Sequence, residues 1–294
     1  MLSDRPDWER QGRDWPNRDA SRMVTAGGLR WHVQVAGDGP VLLLLHGTGA
    51  ATHSWRALLP LLAARFTVVA PDLPGHGFTT GRPAGGLSMV AMARAISALL
   101  SELGVAPRLI VGHSAGAAIA VRMTIDALVA PAGIVGLNPA LMPFPGIAAK
   151  LFPTLARLLF VNPFAPHIFA AMARQPGEAG RFLRRSTGSR IDAAGADYYQ
   201  RLFATASHCA GAITMMADWD LDTLERDLPK LAVPLLLIHG EGDAMIPFSA
   251  VREAAARVPG ARVEMLATLG HLAHEEDAAR IAAAIGQFAD ALAA

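Results

Sequence analysis

Residues 108–120 read RLIVGHSAGAAIA, an apolar run that stops at Gly112-His113-Ser114-Ala115-Gly116 and resumes in small residues. A short run of Leu, Ile and Val suits a strand buried on both faces, and the Ala-rich stretch after it suits a helix. The spacing G-x-S-x-G is that of a sharp strand-to-helix turn, which strains its central residue and projects the side chain at the sheet's edge. The glycines fit a bend where neighbouring backbones pass too closely for a Cβ. A hydroxyl on that bend has no packing role, so Ser114 is the candidate nucleophile.

Similar apolar runs recur at residues 31–35, 41–45, 66–70, 134–137, 235–238 and 263–266. Helical patterns lie between or after them, at 55–64, 88–103, 117–128, 250–257 and 275–293. This alternation predicts an α/β fold with a mostly parallel sheet flanked by helices, and it places ligands at the carboxyl ends of the strands. The rhythm breaks between residues 139 and 231, where helical stretches punctuated by Pro and Gly carry no strand signal. An ordinary βα connection takes about 2–6 residues, so this interval reads as a helical lid inserted after the sixth core strand. The division expected is an N-terminal arm at 1–30, on the surface as far as Asn17, a core at 31–138 and 232–294, and the lid at 139–231.

A serine hydroxyl needs a base to take its proton and a carboxylate to orient that base. The chain order for this turn is Ser, acid, His. Downstream histidines are His167 and His208 in the lid, His239 at a strand end, and His271 and His274 in LATLGHLAHEE at residues 266–276. His271, in a glycine-flanked loop after the last strand, is the expected general base. His239 is expected to pack inside, and His274 to be exposed or to brace a loop. A His-x-x-His metal pair finds no third and fourth ligand at metal-site spacing, so no metal and no cofactor are expected. Asp243 in GEGDAMIP, residues 240–247, is the expected acid, with Glu241 as runner-up. Donors for a developing oxyanion are expected from two backbone N–H groups: Ala115 at the helix start, and Thr48 in HGTGA, residues 46–50.

Composition narrows the classes of function. Twenty-six basic and 25 acidic residues leave a net charge of +1, so no field favours a nucleic acid. The single cysteine, Cys209, cannot form an intramolecular disulfide. The charged opening MLSDRPDWER lacks the apolar core of a signal peptide, which leads us to expect a cytoplasmic protein. No stretch has the roughly 20 uninterrupted apolar residues of a spanning helix.

Taken together, HGTGA, APDLPGHGFT at 70–79, GHSAG, GEGDAMIP and LGHLAH resemble the α/β-hydrolase superfamily, in the right order across nearly all of the chain after Arg30. The resemblance implies an α/β-hydrolase fold and a Ser114–His271–Asp243 triad, and it makes Asp72 and His76 architectural. A narrower likeness is carried by DWERQGRDWPNRDASRMV (residues 7–24) and AGGLRWHVQVAGDGPVLLLLHGTGAATHSWR (residues 26–56). These segments are similar to the magnesium-chelatase accessory family of bacteriochlorophyll biosynthesis in photosynthetic bacteria. That likeness implies a place beside magnesium insertion into a porphyrin and a chelatase subunit as partner.

Three readings of function follow. One is a serine hydrolase acting on an ester or similar acyl bond. Another is a non-catalytic accessory protein that holds a porphyrin or a chelatase subunit. The last, cofactor-free chemistry on a carbon–carbon or carbon–halogen bond, fits less well, because a dehalogenase would carry aspartate at position 114. In the lid, apolar residues including Phe144, Phe152 and Phe160 are expected, with His113, to line a pocket for an apolar, porphyrin-like substrate. The arginines at 157, 174, 181, 184, 185 and 190 suggest carboxylate recognition or a peripheral contact with the inner or photosynthetic membrane.

Overall fold

The computed structural model describes residues 4–143, 162 and 164–293. Eight strands form one sheet: β1 (Ser21–Ala26), β2 (Leu29–Ala36), β3 (Val41–Leu45), β4 (Thr67–Pro71), β5 (Leu109–His113), β6 (Gly133–Leu137), β7 (Leu235–Gly240) and β8 (Arg262–Leu266). Their order is β1-β2-β4-β3-β5-β6-β7-β8. The first two pairings, β1 with β2 and β2 with β4, are antiparallel, and all the others are parallel.

Alternation along the strands divides the core in two. Leu43 and Leu45 of β3 join Ile110, Ile134, Leu235 and Leu237 on one face. Leu42 and Leu44 join Leu109, Val111, Val135, Leu137, Leu236 and Ile238 on the other. All-apolar strands are what a sheet covered on both faces requires, since successive side chains point to opposite sides. Among the described residues the helices are α1 (Trp8–Gln11), α2 (Leu58–Ala63), α3 (Met89–Glu102), α4 (Ala115–Ile125), α5 (Ala165–Ala173), α6 (Glu178–Thr187), α7 (Ala193–Phe203), α8 (Ala206–Ala217), α9 (Leu221–Asp227), α10 (Phe248–Arg257), α11 (Ala273–Glu276) and α12 (Ala278–Ala291). Helices α3 and α4 cover the first face, and α2 and α12 the second. The fold is that of an α/β hydrolase, and α5 to α9 fall in the interval expected for the lid.

Three local expectations change. The final helix is split, because Asp277 leaves helical geometry (φ −143°, ψ 75°) and its carboxylate caps the Arg280 N–H of α12. Strand β1 lies inside the stretch read as arm. Its hairpin with β2 turns through Gly27 and Gly28 (φ 56° and 79°), the left-handed pair that a two-residue hairpin favours. The stretch before Asn17 is anchored at Trp15, which is only 2 % exposed. Trp15 donates to Thr52 Oγ1 at 2.9 Å and sets its ring edge-on to Phe78 and Tyr198, so the arm bridges core and α7.

Candidate active site

Strand β5 enters α4 through Ser114, whose backbone is at φ 50°, ψ −116°. An L-residue holds such a conformation only where its surroundings over-determine it. Here the Ser114 N–H donates to Leu137 O at 2.9 Å, and its carbonyl accepts from Ala117 N and Ala140 N, each at 3.1 Å. The flanking glycines are demanded by backbone contact. A Cβ on Gly112 would stand 2.4 Å from Ala117 N, and one on Gly116 would stand 2.0 Å from Leu45 O. The strain therefore aims the side chain of Ser114, which is partly exposed, off the carboxyl end of the central strands.

Asp243 and His271 come from the loops after β7 and β8. His271 Nδ1–H donates to Asp243 Oδ2 at 2.8 Å, and the side chain of Asp243 is fully buried. Asn138 Nδ2 donates to the same oxygen at 2.8 Å, while Met245 N and Ile246 N donate to Oδ1 at 2.8 and 3.0 Å. Burial alone would raise the Asp243 carboxyl. The bond and charge of His271, with the Ile246 and Asn138 donors, outweigh it and hold the group below the ordinary carboxylate range. Because Nδ1 carries the proton, Nε2 of His271 is left bare as an acceptor. Among the described residues no hydrogen bond joins Ser114 Oγ to that nitrogen; such bonds are commonly long until substrate arrives.

The His271 loop is held from two sides. His113, beside Ser114, donates Nε2–H to the His271 carbonyl at 2.9 Å. Its ring is 2 % exposed, and burial together with His271 pushes it down to about 3, so it stays neutral. His113, read as a pocket residue, thus points inward onto the His271 loop. From the other side, Thr187 ends α6 with a carbonyl that has no partner within the helix, and it accepts the His271 N–H at 2.9 Å. Ser189 Oγ accepts the Leu272 N–H at 2.7 Å. Nothing in the sequence marks Asn138, Thr187 or Ser189, which reach the loops only through tertiary packing.

Other candidates take different positions. Glu241 is exposed, away from the cluster. His239 is buried, with Nδ1 3.8 Å from Asp243 and its ring stacked on Phe248. His274 is fully buried, contrary to exposure at a helix start. It donates Nε2–H to Ser54 Oγ at 2.8 Å, and Ser54 in turn donates to Glu275, so it braces a loop. Asp72 lies beneath the site, accepting from Thr52 N at 2.7 Å, from Phe78 N at 2.9 Å and from His32. His208 joins two loops, taking the Gly77 N–H on Nδ1 and giving Nε2–H to Gly49 O. The Thr48 and Ala115 amides donate to no group among the described residues, which leaves both available to a ligand oxygen. Phe144, Phe152 and Phe160 lie outside the described residues. A cavity of about 440 Å³ opens between Asp4 and Arg5 of the arm and helices α5 and α8, and neither Ser114, Asp243 nor His271 lines it.

The Alpha/beta hydrolase family matches residues 42–284. The chain is similar to the Magnesium-chelatase 30 kDa subunit of Rhodobacter capsulatus, 40 % identical over 264 residues that cover 89 % of this chain and 92 % of that one. It is 33 % identical over 251 residues to pimeloyl-(acyl-carrier protein) methyl ester esterase of Aromatoleum aromaticum, covering 82 % and 95 % respectively. An alpha/beta hydrolase fold protein from Burkholderia ambifaria superposes with a TM-score of 0.74 at 21 % identity over 90 % of this chain and 98 % of its own, a likeness of fold. With a family match that runs from the third strand into the last helix, and a relative paired over nearly its full length, the chain belongs to the alpha/beta hydrolase family.

Proposed function

We propose that the protein is a serine hydrolase that cleaves an ester or similar acyl bond of an apolar substrate. The observation that carries this reading is the Asp243–His271 pair, which fixes the proton on Nδ1 and leaves Nε2 as base at the edge where Ser114 projects. In this mechanism Nε2 takes the Ser114 proton as Oγ attacks the acyl carbon. The carbonyl oxygen becomes an oxyanion, held by the Thr48 and Ala115 amides. Collapse breaks the bond to the leaving alcohol, which receives the proton from His271. Water, deprotonated by the same nitrogen, then releases the acid and restores the serine. Preorganised donors and a fixed tautomer each act without rearrangement at the moment of reaction.

A second reading is favoured by the 40 % identity to a protein named for magnesium chelatase. In it the chain works at the magnesium-chelatase stage of bacteriochlorophyll biosynthesis, as an accessory that holds a porphyrin or a chelatase subunit, without turnover. Labelling with a fluorophosphonate separates the two. The hydrolase reading expects rapid labelling of the native chain and none of Ser114→Ala. A folded native chain that stays unlabelled, yet binds magnesium protoporphyrin saturably, overturns hydrolysis in favour of the accessory role.

A further inference from the structure

Helix α5 is inverted in residue size. Its inward side is made of alanines: Ala165, Ala170 and Ala173 are buried, and Ala170 packs with Ala206 and Cys209 of α8. Its outward side carries the bulk. Phe164 just ahead of the helix is 69 % exposed, Ile168 54 %, Phe169 41 % and Met172 59 %. The spacing of 164, 168, 169 and 172 puts these side chains in one stripe of a helix. A helix that ends its burial on the protein core does the reverse, turning large apolar groups in and small or polar ones out.

Helix α6, in contact with α5, extends the pattern. Phe182 is 56 % exposed and stands among the exposed Arg181, Arg184 and Arg185. Among the described residues only Phe164, Ile168, Met172 and Phe182 are large apolar groups more than half exposed, and all four lie between residues 164 and 182. Such clustering marks an interaction surface, whereas scattered apolar residues do not. The charge is just as uneven. Residues 164–190 hold five arginines and one glutamate in a chain whose net charge is +1. Arg181 is paired with Glu178 and Arg174 lies 3.8 Å from Asp4, while Arg184, Arg185 and Arg190 have no carboxylate partner among the described residues.

We propose that α5 and α6 form a docking surface for an anionic lipid bilayer. Apolar tips enter the headgroup boundary and the arginines meet lipid phosphates, the arrangement of helices that lie in the membrane plane. No helix among the described residues is long and apolar enough to cross a membrane, so the contact is peripheral. Membrane docking by this surface is independent of the proposed catalysis. It does put the membrane contact on the helix whose last carbonyl holds the His271 amide.

Flotation of the full chain with vesicles of phosphatidylcholine alone, or of phosphatidylcholine and phosphatidylglycerol in equal parts, tests it. The chain is expected to float with the anionic vesicles at low salt, to be released by high salt, and to ignore the neutral ones. Replacing Arg181, Arg184 and Arg185 by Gln should weaken partition about 100-fold, or about fivefold per arginine, which corresponds to ~1 kcal/mol each. Phe164→Ser with Met172→Ser should also release the chain with every charge in place. Met265→Ser, at an exposed apolar site on β8, should leave binding unchanged; circular dichroism checks that each variant is folded. A native chain that stays in solution with anionic vesicles overturns the proposal, whether or not it binds a soluble protein. So does an arginine-free variant that floats like the native chain.

Discussion

At Ser114 a strained backbone, two collision-avoiding glycines and a partly exposed hydroxyl coincide, and such strain belongs where a site over-determines its geometry. The oriented base is the counterpart of that strain. Asp243→Asn leaves three donors facing an amide instead of a carboxylate and removes the acceptor that fixes the His271 tautomer. Turnover of an activated ester should fall about 10⁴-fold with KM within a few-fold; a loss under tenfold would show that His271 does not depend on Asp243. Thr48 tests the opposite case. Its assigned donor is the amide, and its hydroxyl is turned to Met215 Sδ at 3.3 Å. Thr48→Ala should therefore keep kcat within about tenfold, and a drop of more than a hundredfold would assign the role to the hydroxyl.

Among the elements, the inserted helices are tied to the His271 loop through the end of α6. Ser189 is buried and gives the only acceptor among the described residues for the Leu272 amide, next to the base. Ser189→Ala leaves a buried donor unsatisfied, costing about 1–3 kcal/mol. The variant should melt at lower temperature and label with fluorophosphonate several-fold more slowly, while a native labelling rate would uncouple the lid from His271. The strands, and the loops and bend that bring Ser114, Asp243 and His271 to the sheet's edge, were legible because each has a local signature: an apolar run, a G-x-S-x-G bend, a glycine-flanked loop after a strand. Strand β1 was not, since its exposure alternates weakly and only Ala26 of its six residues is buried. The break at Asp277 was not either, because apolar periodicity continues across it.

Over the whole molecule, buried histidines set the acid limit. Burial drives His46 down to about 4, and His76, His113 and His208 down to about 3. In the unfolded chain such residues bind protons near pH 6.5. Below that pH the unfolded state holds more protons than the folded one, so stability is present above pH 6.5 and is lost as pH falls toward 3. Each histidine contributes roughly 1.4 kcal/mol per pH unit in that window. Asp72 and Asp243, depressed below their ordinary values, add a loss of the same sign at lower pH, and Glu275, raised by burial, works against it. A melting temperature that drops by more than about 5 °C between pH 7 and pH 5 is expected. A flat profile would show that these rings find water in the folded state.

Pattern along the chain was sufficient for the parallel sheet, its order of helices, and the expectation that Ser114, Asp243 and His271 carry chemistry, because burial on two faces and a sharp bend each constrain residue type at fixed short spacing. It was silent on what holds His271. Asn138, His113, Thr187 and Ser189 are 83 to 158 positions from the partners they hydrogen-bond among Asp243, His271 and Leu272, and their roles depend on a donor or an acceptor meeting its partner across the sheet's edge. Hydrogen bonds of that reach leave no periodic trace in sequence, so only the folded chain could decide them.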